Sequence, residues 1–235
     1  MELTVKQFGQ VEYETAWAWQ RELVQARRAE QIGDTLLLLE HPHTYTIGRR
    51  GSVQNLLAGP ERLQELGARV LETDRGGDIT YHGPGQLVGY PLLDLRLRNN
   101  DVHRYLRNLE ETLIQVLATY GLEAGREPKY TGVWLNVPGG RDKIAAIGVK
   151  VSQGVTLHGF ALNVNTDLSY FHEIVPCGIT DPDKGVTSCQ KLLGHPLPLD
   201  EVRAHVAQAF AQVFGYATVR YEPSLADYAR DGLQE

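Results

Sequence analysis

Val102, Tyr105, Leu106, Leu109, Leu113, Val116, Leu117 and Tyr120 recur with the i, i+3, i+4, i+7 rhythm of one buried helix face. Asn100 or Asp101 can cap the first free amides and Gly121 suits the end, so a helix is predicted from about Asp101 to Tyr120. Further amphipathic helices are predicted over Tyr13 to Gln31, Glu61 to Leu66 and Leu199 to Phe214. Strand-sized runs cover residues 2–8, Asp34 to Glu40, Thr44 to Gly48, Arg69 to Thr73, Ile79 to Tyr81, Gln86 to Leu95 and Thr218 to Tyr221. Residues 143–164 read as a β-hairpin turning near Ser152-Gln153-Gly154, and a helical turn or two is expected after the last strand. The spacing is that of hairpins more than of βαβ units, which predicts an α+β fold with a mixed β-sheet flanked by helices. No repeat, low-complexity stretch or rich linker divides the chain, so residues 1–235 are read as a single domain.

Composition narrows the class. Hydrophobic residues at 42% and charged residues at 22% describe an ordinary globular protein. With 29 acidic against 23 basic residues the net charge is −6, which lacks the electrostatic footprint of a nucleic-acid binder. No apolar run, the leucine stretch Leu36 to Leu39 included, approaches the ~18 residues of a membrane span. The N-terminus shows no basic-then-apolar leader, so a cytoplasmic location is expected. The only cysteines, Cys177 and Cys189, make no disulfide framework or zinc pair, and the histidines lack metal-ligand spacing. No metal and no cofactor is expected.

Candidate chemistry centres on Pro176-Cys177-Gly178-Ile179, where Pro and Gly bracket a thiol that is either presented as a nucleophile or packed as a small hydrophobe. Cys189 is the rival nucleophile but lacks that presentation. Lys143 opens the apolar run Ile144-Ala145-Ala146-Ile147-Gly148. Strict alternation places it with Ala145, Ile147, Val149 and Val151, an odd face for an ammonium without a partner or a task. Arg75-Gly76-Gly77-Asp78-Ile79-Thr80-Tyr81-His82-Gly83-Pro84-Gly85-Gln86 is dense in residues that let backbone approach a ligand, but it is no nucleotide fingerprint. Ala145-Ala146-Ile147-Gly148 and Gly159-Phe160-Ala161, small residues facing each other across the hairpin, leave room for a slender apolar ligand or for tight packing. His158 reads by default as a structural histidine.

These segments together resemble the lipoyl(octanoyl) transferase family. His41 to Arg49 is similar to its HPxxYTxGR element and Arg75 to Pro91 to its most distinctive signature. Thr131-Gly132-Val133-Trp134, Lys143 to Gly148, Thr156 to Asn163 and Pro176 to Ile179 follow in the family's order. The resemblance implies the fold of biotin and lipoate protein ligases, and transfer of octanoate from octanoyl-acyl carrier protein to a lysine of a lipoyl domain. The implied acceptors are the E2 subunits of 2-oxoacid dehydrogenases and the glycine cleavage H protein. It implies Cys177 as acyl-carrying nucleophile, Lys143 as second catalytic residue, and an acyl site at Arg75, Gly76, Gly77, Asp78, Ile79, Thr80, Tyr81, His82, Ala146, Ile147, Gly148, Gly159, Phe160 and Ala161. A monomer is expected, with neither membrane nor nucleic acid as partner. Asp78 stands where many members carry Gln and is expected to point away or to pair with Arg75. Arg49, Arg50, Arg75 and Lys150 are candidates for a basic rim that docks the acidic carrier. The alternative is an ATP-dependent lipoate or biotin ligase on the same fold, for which Cys177 would be incidental.

Overall fold

The computed structural model describes residues 1–178 and 181–222. In chain order the strands are β1 (Glu2–Gln10), β2 (Asp34–Glu40), β3 (Thr44–Ile47), β4 (Arg69–Glu72), β5 (Ile79–His82), β6 (Gln86–Leu92), β7 (Ala124–Glu127), β8 (Tyr130–Val137), β9 (Gly140–Ser152), β10 (Val155–Asn163), β11 (Lys184–Val186) and β12 (Thr218–Glu222). The helices are α1 (Tyr13–Arg28), α2 (Pro60–Glu65), α3 (Val102–Thr119), α4 (Cys189–Leu193) and α5 (Leu199–Phe214). The helical turn expected after the last strand lies outside the described residues.

The main sheet runs β12-β1-β2-β6-β10-β9-β8-β7, with β11 added on β9. β1 pairs parallel with β2 and β12 while β2, β6, β10, β9, β8 and β7 pair antiparallel, so the sheet is mixed as expected. β2 shows why its sequence holds four leucines in a row. Leu36 and Leu38 join Leu109, Leu113, Phe210 and Phe214 of α3 and α5 on one face, and Leu37 and Leu39 join Ala16 and Val24 of α1 on the other. Asp101 caps α3 by accepting from Arg104 N at 2.8 Å.

The hairpin of β9 and β10 closes on Gln153 and Gly154, at φ 49° and 88°, the doubly left-handed pair a two-residue loop requires. That turn fixes the register: Ala146 faces Ala161, Ile147 faces Phe160, and Gly148 faces Gly159. The small residues therefore meet across the hairpin as the sequence pattern suggested. A smaller sheet, β4-β3-β5, packs Tyr45, Ile47, Ile79 and Tyr81 against Phe171 and Ile174. Its other face, carrying Thr46, Thr80 and His82, turns toward the main sheet.

Candidate active site

Between the two sheets and the start of α1 lies a cavity of about 370 Å³, within the range of small-molecule pockets. Its wall contains Lys143 and most of the residues the sequence singled out: Arg75, Gly76, Gly77, Asp78, Thr80, His82, Ala146, Ile147, Gly148, Gly159, Phe160 and Ala161. Ile79 and Tyr81 are not in it. They alternate with Thr80 and His82 along β5, so their side chains enter the core of the small sheet. His158, read as structural by default, does line the cavity.

Lys143 reaches the cavity because β9 is not regular. The β8–β9 register passes from Val133 opposite Ala145 to Trp134 opposite Lys143, one extra residue on β9 at Ile144. Such a bulge reverses the alternation on either side of itself. Ile144 and Ala145 both enter the core beneath α3, and Lys143 falls in line with Ala146 instead of the expected Ala145 and Ile147. The residue is 8% exposed, with Nζ 4.8 Å from the centroid of the Trp134 ring, a cation–π arrangement. The stem lies over Gly132, where a Cβ would come within 3.5 Å of Lys143 Cε and 2.6 Å of the Ala145 carbonyl oxygen. Gly132 has φ 128°, and its N–H donates to the buried Glu110 of α3 at 3.2 Å. Glu110 is in turn held by Arg107 and Arg126. The Thr131–Trp134 motif is thus a bed for the lysine stem.

Cys177 lies in a 3-10 turn, Pro176–Gly178, packed on β5. Pro176 and Lys143 together line two small cavities adjoining the main one, which places this turn at the Lys143 end of the site. Cys189 begins α4, 1% exposed, and burial pushes its thiol up to about 12, so it has no thiolate to offer near neutral pH. Asp78 turns toward the 52–55 segment and does not pair with Arg75. Its carboxylate accepts from Ser52 N at 3.1 Å, Asn55 Nδ2 at 2.6 Å and Ile79 N at 2.7 Å, whereas Arg75 donates to Thr46 and to the Gly76 carbonyl. The basic rim also contracts: Arg75 is buried and Lys150 is bonded to Asp74, leaving Arg49 and Arg50 exposed at the surface.

The remaining wall is polar in composition yet closed in its hydrogen bonding. Arg75 donates to Thr46 Oγ1, whose hydroxyl donates to His82 Nε2; His82 Nδ1–H donates to Gln86 Oε1, and Gln86 Nε2 donates to Asn163 Oδ1. Beside this chain Tyr13 donates to His158 Nδ1, and His158 Nε2–H donates to Asp74 at 2.7 Å. Tyr90 donates to His41 Nε2 while His41 Nδ1–H donates to the Val11 carbonyl. Burial drives all three imidazoles toward the neutral form: His41 down to about 4, His82 well below its ordinary value, and His158 down despite the Asp74 carboxylate. Imidazoles, phenols and amides that are already paired can face an apolar chain without being stranded. His158 joins it through left-handed backbone, φ 55°, which brings onto the α1 face a ring that alternation would send to the α3 face.

Comparison with known proteins agrees with this geometry. A family model described as the lipoyl protein ligase A/B catalytic domain matches residues 12–211. An octanoyltransferase of Rubrobacter xylanophilus is 56% identical over 88% of this chain and 91% of its own, and one of Solibacter usitatus is 52% identical over 90% and 93%. The chain belongs to the lipoyl(octanoyl) transferase family. It is an acyltransferase. Its fold is that of the biotin and lipoate protein ligases: a bipartite lipoate protein ligase from Thermoplasma acidophilum superposes with a TM-score of 0.72 at 18% identity, covering 98% of this chain and 91% of that one. No described helix is long and apolar enough to cross a membrane, and the described residues hold no cluster of metal-ligating groups.

Several residues of this transferase site were not singled out from sequence. Tyr13 read only as the start of a helix, Tyr90 as a strand residue, and Gln86 and Asn163 as motif members without a role. Gly132 gave no local signal, because its importance comes from a lysine on the neighbouring strand. Gly132→Ala is expected to lower the steady-state rate of acyl transfer on the order of 10- to 100-fold by displacing the Lys143 stem. His41, charged when unfolded below about pH 6.5 but neutral in the fold down to about 4, stabilises fully above that window and loses its contribution as pH falls through it. Urea denaturation between pH 7 and pH 4 should show a loss of about 3 kcal/mol from this residue alone, and His41→Gln should flatten that slope.

Proposed function

We propose that this chain transfers an octanoyl group from octanoyl-acyl carrier protein to a lysine of a lipoyl domain by way of a Cys177 thioester. The observation that carries the reading is the meeting of Lys143 and the Pro176–Gly178 turn beside the cavity. Lys143 and the turn bearing Cys177 stand at one end, and a slot walled by Ala146, Gly148, Gly159 and Ala161 extends from them. The relatives named octanoyltransferase support the acyl group, and the ligase of similar fold, described together with its E2 lipoyl domain, supports the acceptor. The acceptors assigned are lipoyl domains of 2-oxoacid dehydrogenase E2 subunits and the glycine cleavage H protein. The chain would act as a monomeric, single catalytic domain in the cytoplasm.

The chemistry is a double displacement. The Cys177 thiolate adds to the donor carbonyl, and the carbon–sulfur bond to the carrier breaks, the carrier sulfur leaving as a thiol with the proton of the Lys143 ammonium. The acceptor amine then adds to the acyl-enzyme carbonyl, the Cys177 carbon–sulfur bond breaks, and an amide remains. Lys143 favours the thiolate as an ammonium in the first half. In the second, as a neutral amine, it takes the proton released by the acceptor nitrogen and returns it to the departing sulfur.

Intact-protein mass after mixing with octanoyl-acyl carrier protein, without ATP, tests the reading. One octanoyl increment is expected, absent in Cys177→Ser and discharged by a lipoyl domain. Octanoylation of the lipoyl domain only when ATP is supplied would make the chain a ligase instead. Arg49→Glu together with Arg50→Glu should slow acyl-enzyme formation about 10-fold and flatten its dependence on salt between 20 and 200 mM, roughly the range over which exposed charges become screened. An unchanged rate and salt slope would remove these arginines from carrier docking.

A further inference from the structure

We infer that Asp78 is a positioning residue for the nucleophile turn and acts through Asn55. Asp78 is half-buried in the cavity wall, and each carboxylate oxygen has an assigned donor. Oδ1 takes Ser52 N at 3.1 Å and Ile79 N at 2.7 Å, and Oδ2 takes Asn55 Nδ2 at 2.6 Å. Asn55 in turn receives Val175 N on its backbone carbonyl at 2.8 Å, and its neighbours Leu56 and Leu57 bridge to Ile174 and to the Glu173 carbonyl. Val175 is the last residue before the turn, and its own carbonyl accepts Gly178 N at 3.0 Å, closing the turn around Cys177. The carboxylate also sits against the far end of that turn. A Cβ on Gly178, which has φ 64°, would lie 2.6 Å from Asp78 Oδ2. One side chain therefore ties the 52–55 segment to β5 and abuts the turn that this segment holds. The hydrogen bond between Asp78 and Asn55 is charge-assisted and has a fixed polarity, carboxylate accepting and amide donating.

That polarity makes the inference testable by exchange. Asn55→Asp sets two carboxylates against each other, whereas Asp78→Asn alone keeps a neutral bond, because the Asn55 amide can turn its oxygen toward the new donor. The double variant, Asp78→Asn with Asn55→Asp, restores one donor and one acceptor, and the amide oxygen it places at position 78 can still accept from Ser52 N and Ile79 N. The readouts are iodoacetamide alkylation of Cys177, resolved by peptide mass from that of Cys189, and single-turnover octanoyl loading from octanoyl-acyl carrier protein. Buried Cys189 reports global opening, so the ratio of the two alkylation rates removes any loss of overall stability. Asn55→Asp is expected to change that ratio about 10-fold, Asp78→Asn alone by less, and the exchange to restore it to within about 3-fold of wild type. Asn55→Ala, which removes the side-chain bond without creating repulsion, should fall between Asn55→Asp and the wild type.

Equal ratios in all the proteins would overturn the positioning role, as would a change that the exchange fails to reverse. The inference rests on Cys177 as the functional thiol, but alkylation needs no acyl donor. Wild-type protein that alkylates but never loads octanoate would defeat the proposed reaction without touching the positioning role. Normal loading with ratios blind to Asp78 would do the reverse.

Discussion

The site depends on one extra residue in β9, because the bulge at Ile144 allows a single strand to feed the core and the cavity out of phase. Without it, period-two geometry would bury Lys143 beside Ala145 and Ile147 beneath α3, where an ammonium is costly. With it, Ile144 and Ala145 both pack on the core side, and Lys143 emerges in line with Ala146. The neighbouring strand is built to match. Gly132 leaves space for the stem, Trp134 supplies a ring beneath the charge, and Glu110 anchors the Gly132 amide from the helix below.

The rest of the cavity is organised around a second constraint, that an apolar chain must share space with histidines, tyrosines and an arginine. Here each polar group turns its hydrogen bonds inward, in directed runs from Arg75 to Asn163 and from Tyr13 to Asp74. Burial keeps the imidazoles neutral, so these rings add shape without adding charge. The same closure couples both sheets and α1 into one frame, since Thr46 and His82 come from the small sheet, Asn163 from the main one and Tyr13 from the helix.

Much of this was legible in the chain. The α3 periodicity, the leucine strand, the hairpin and the mixed-sheet class follow from local patterns, and the small residues do meet across the hairpin. Boundaries slipped where local chemistry overrode periodicity. α1 ends at Arg28 before the left-handed Glu30, and β6 stops at Leu92 because Asp94 caps a 3-10 turn over Leu95–Arg98. The side-chain directions of Lys143 and His158 were not legible, since a bulge and a left-handed residue leave no mark in a hydrophobic pattern. The partners of Asp78 and Lys150 were hidden for another reason: Asn55 and Asp74 are distant in sequence and are brought to them only by the packing of the sheets.

If the slot between the sheets receives the acyl chain, Lys143 stands at its reacting end. A crystal structure of the octanoyl form of the enzyme would decide the matter. The chain is expected to lie along Ala146 and Ala161 toward the Tyr90–His158 wall, with its carbonyl within hydrogen-bond reach of Lys143 Nζ. A chain on the outer surface, or one in the slot with its carbonyl remote from Lys143, would refute this arrangement.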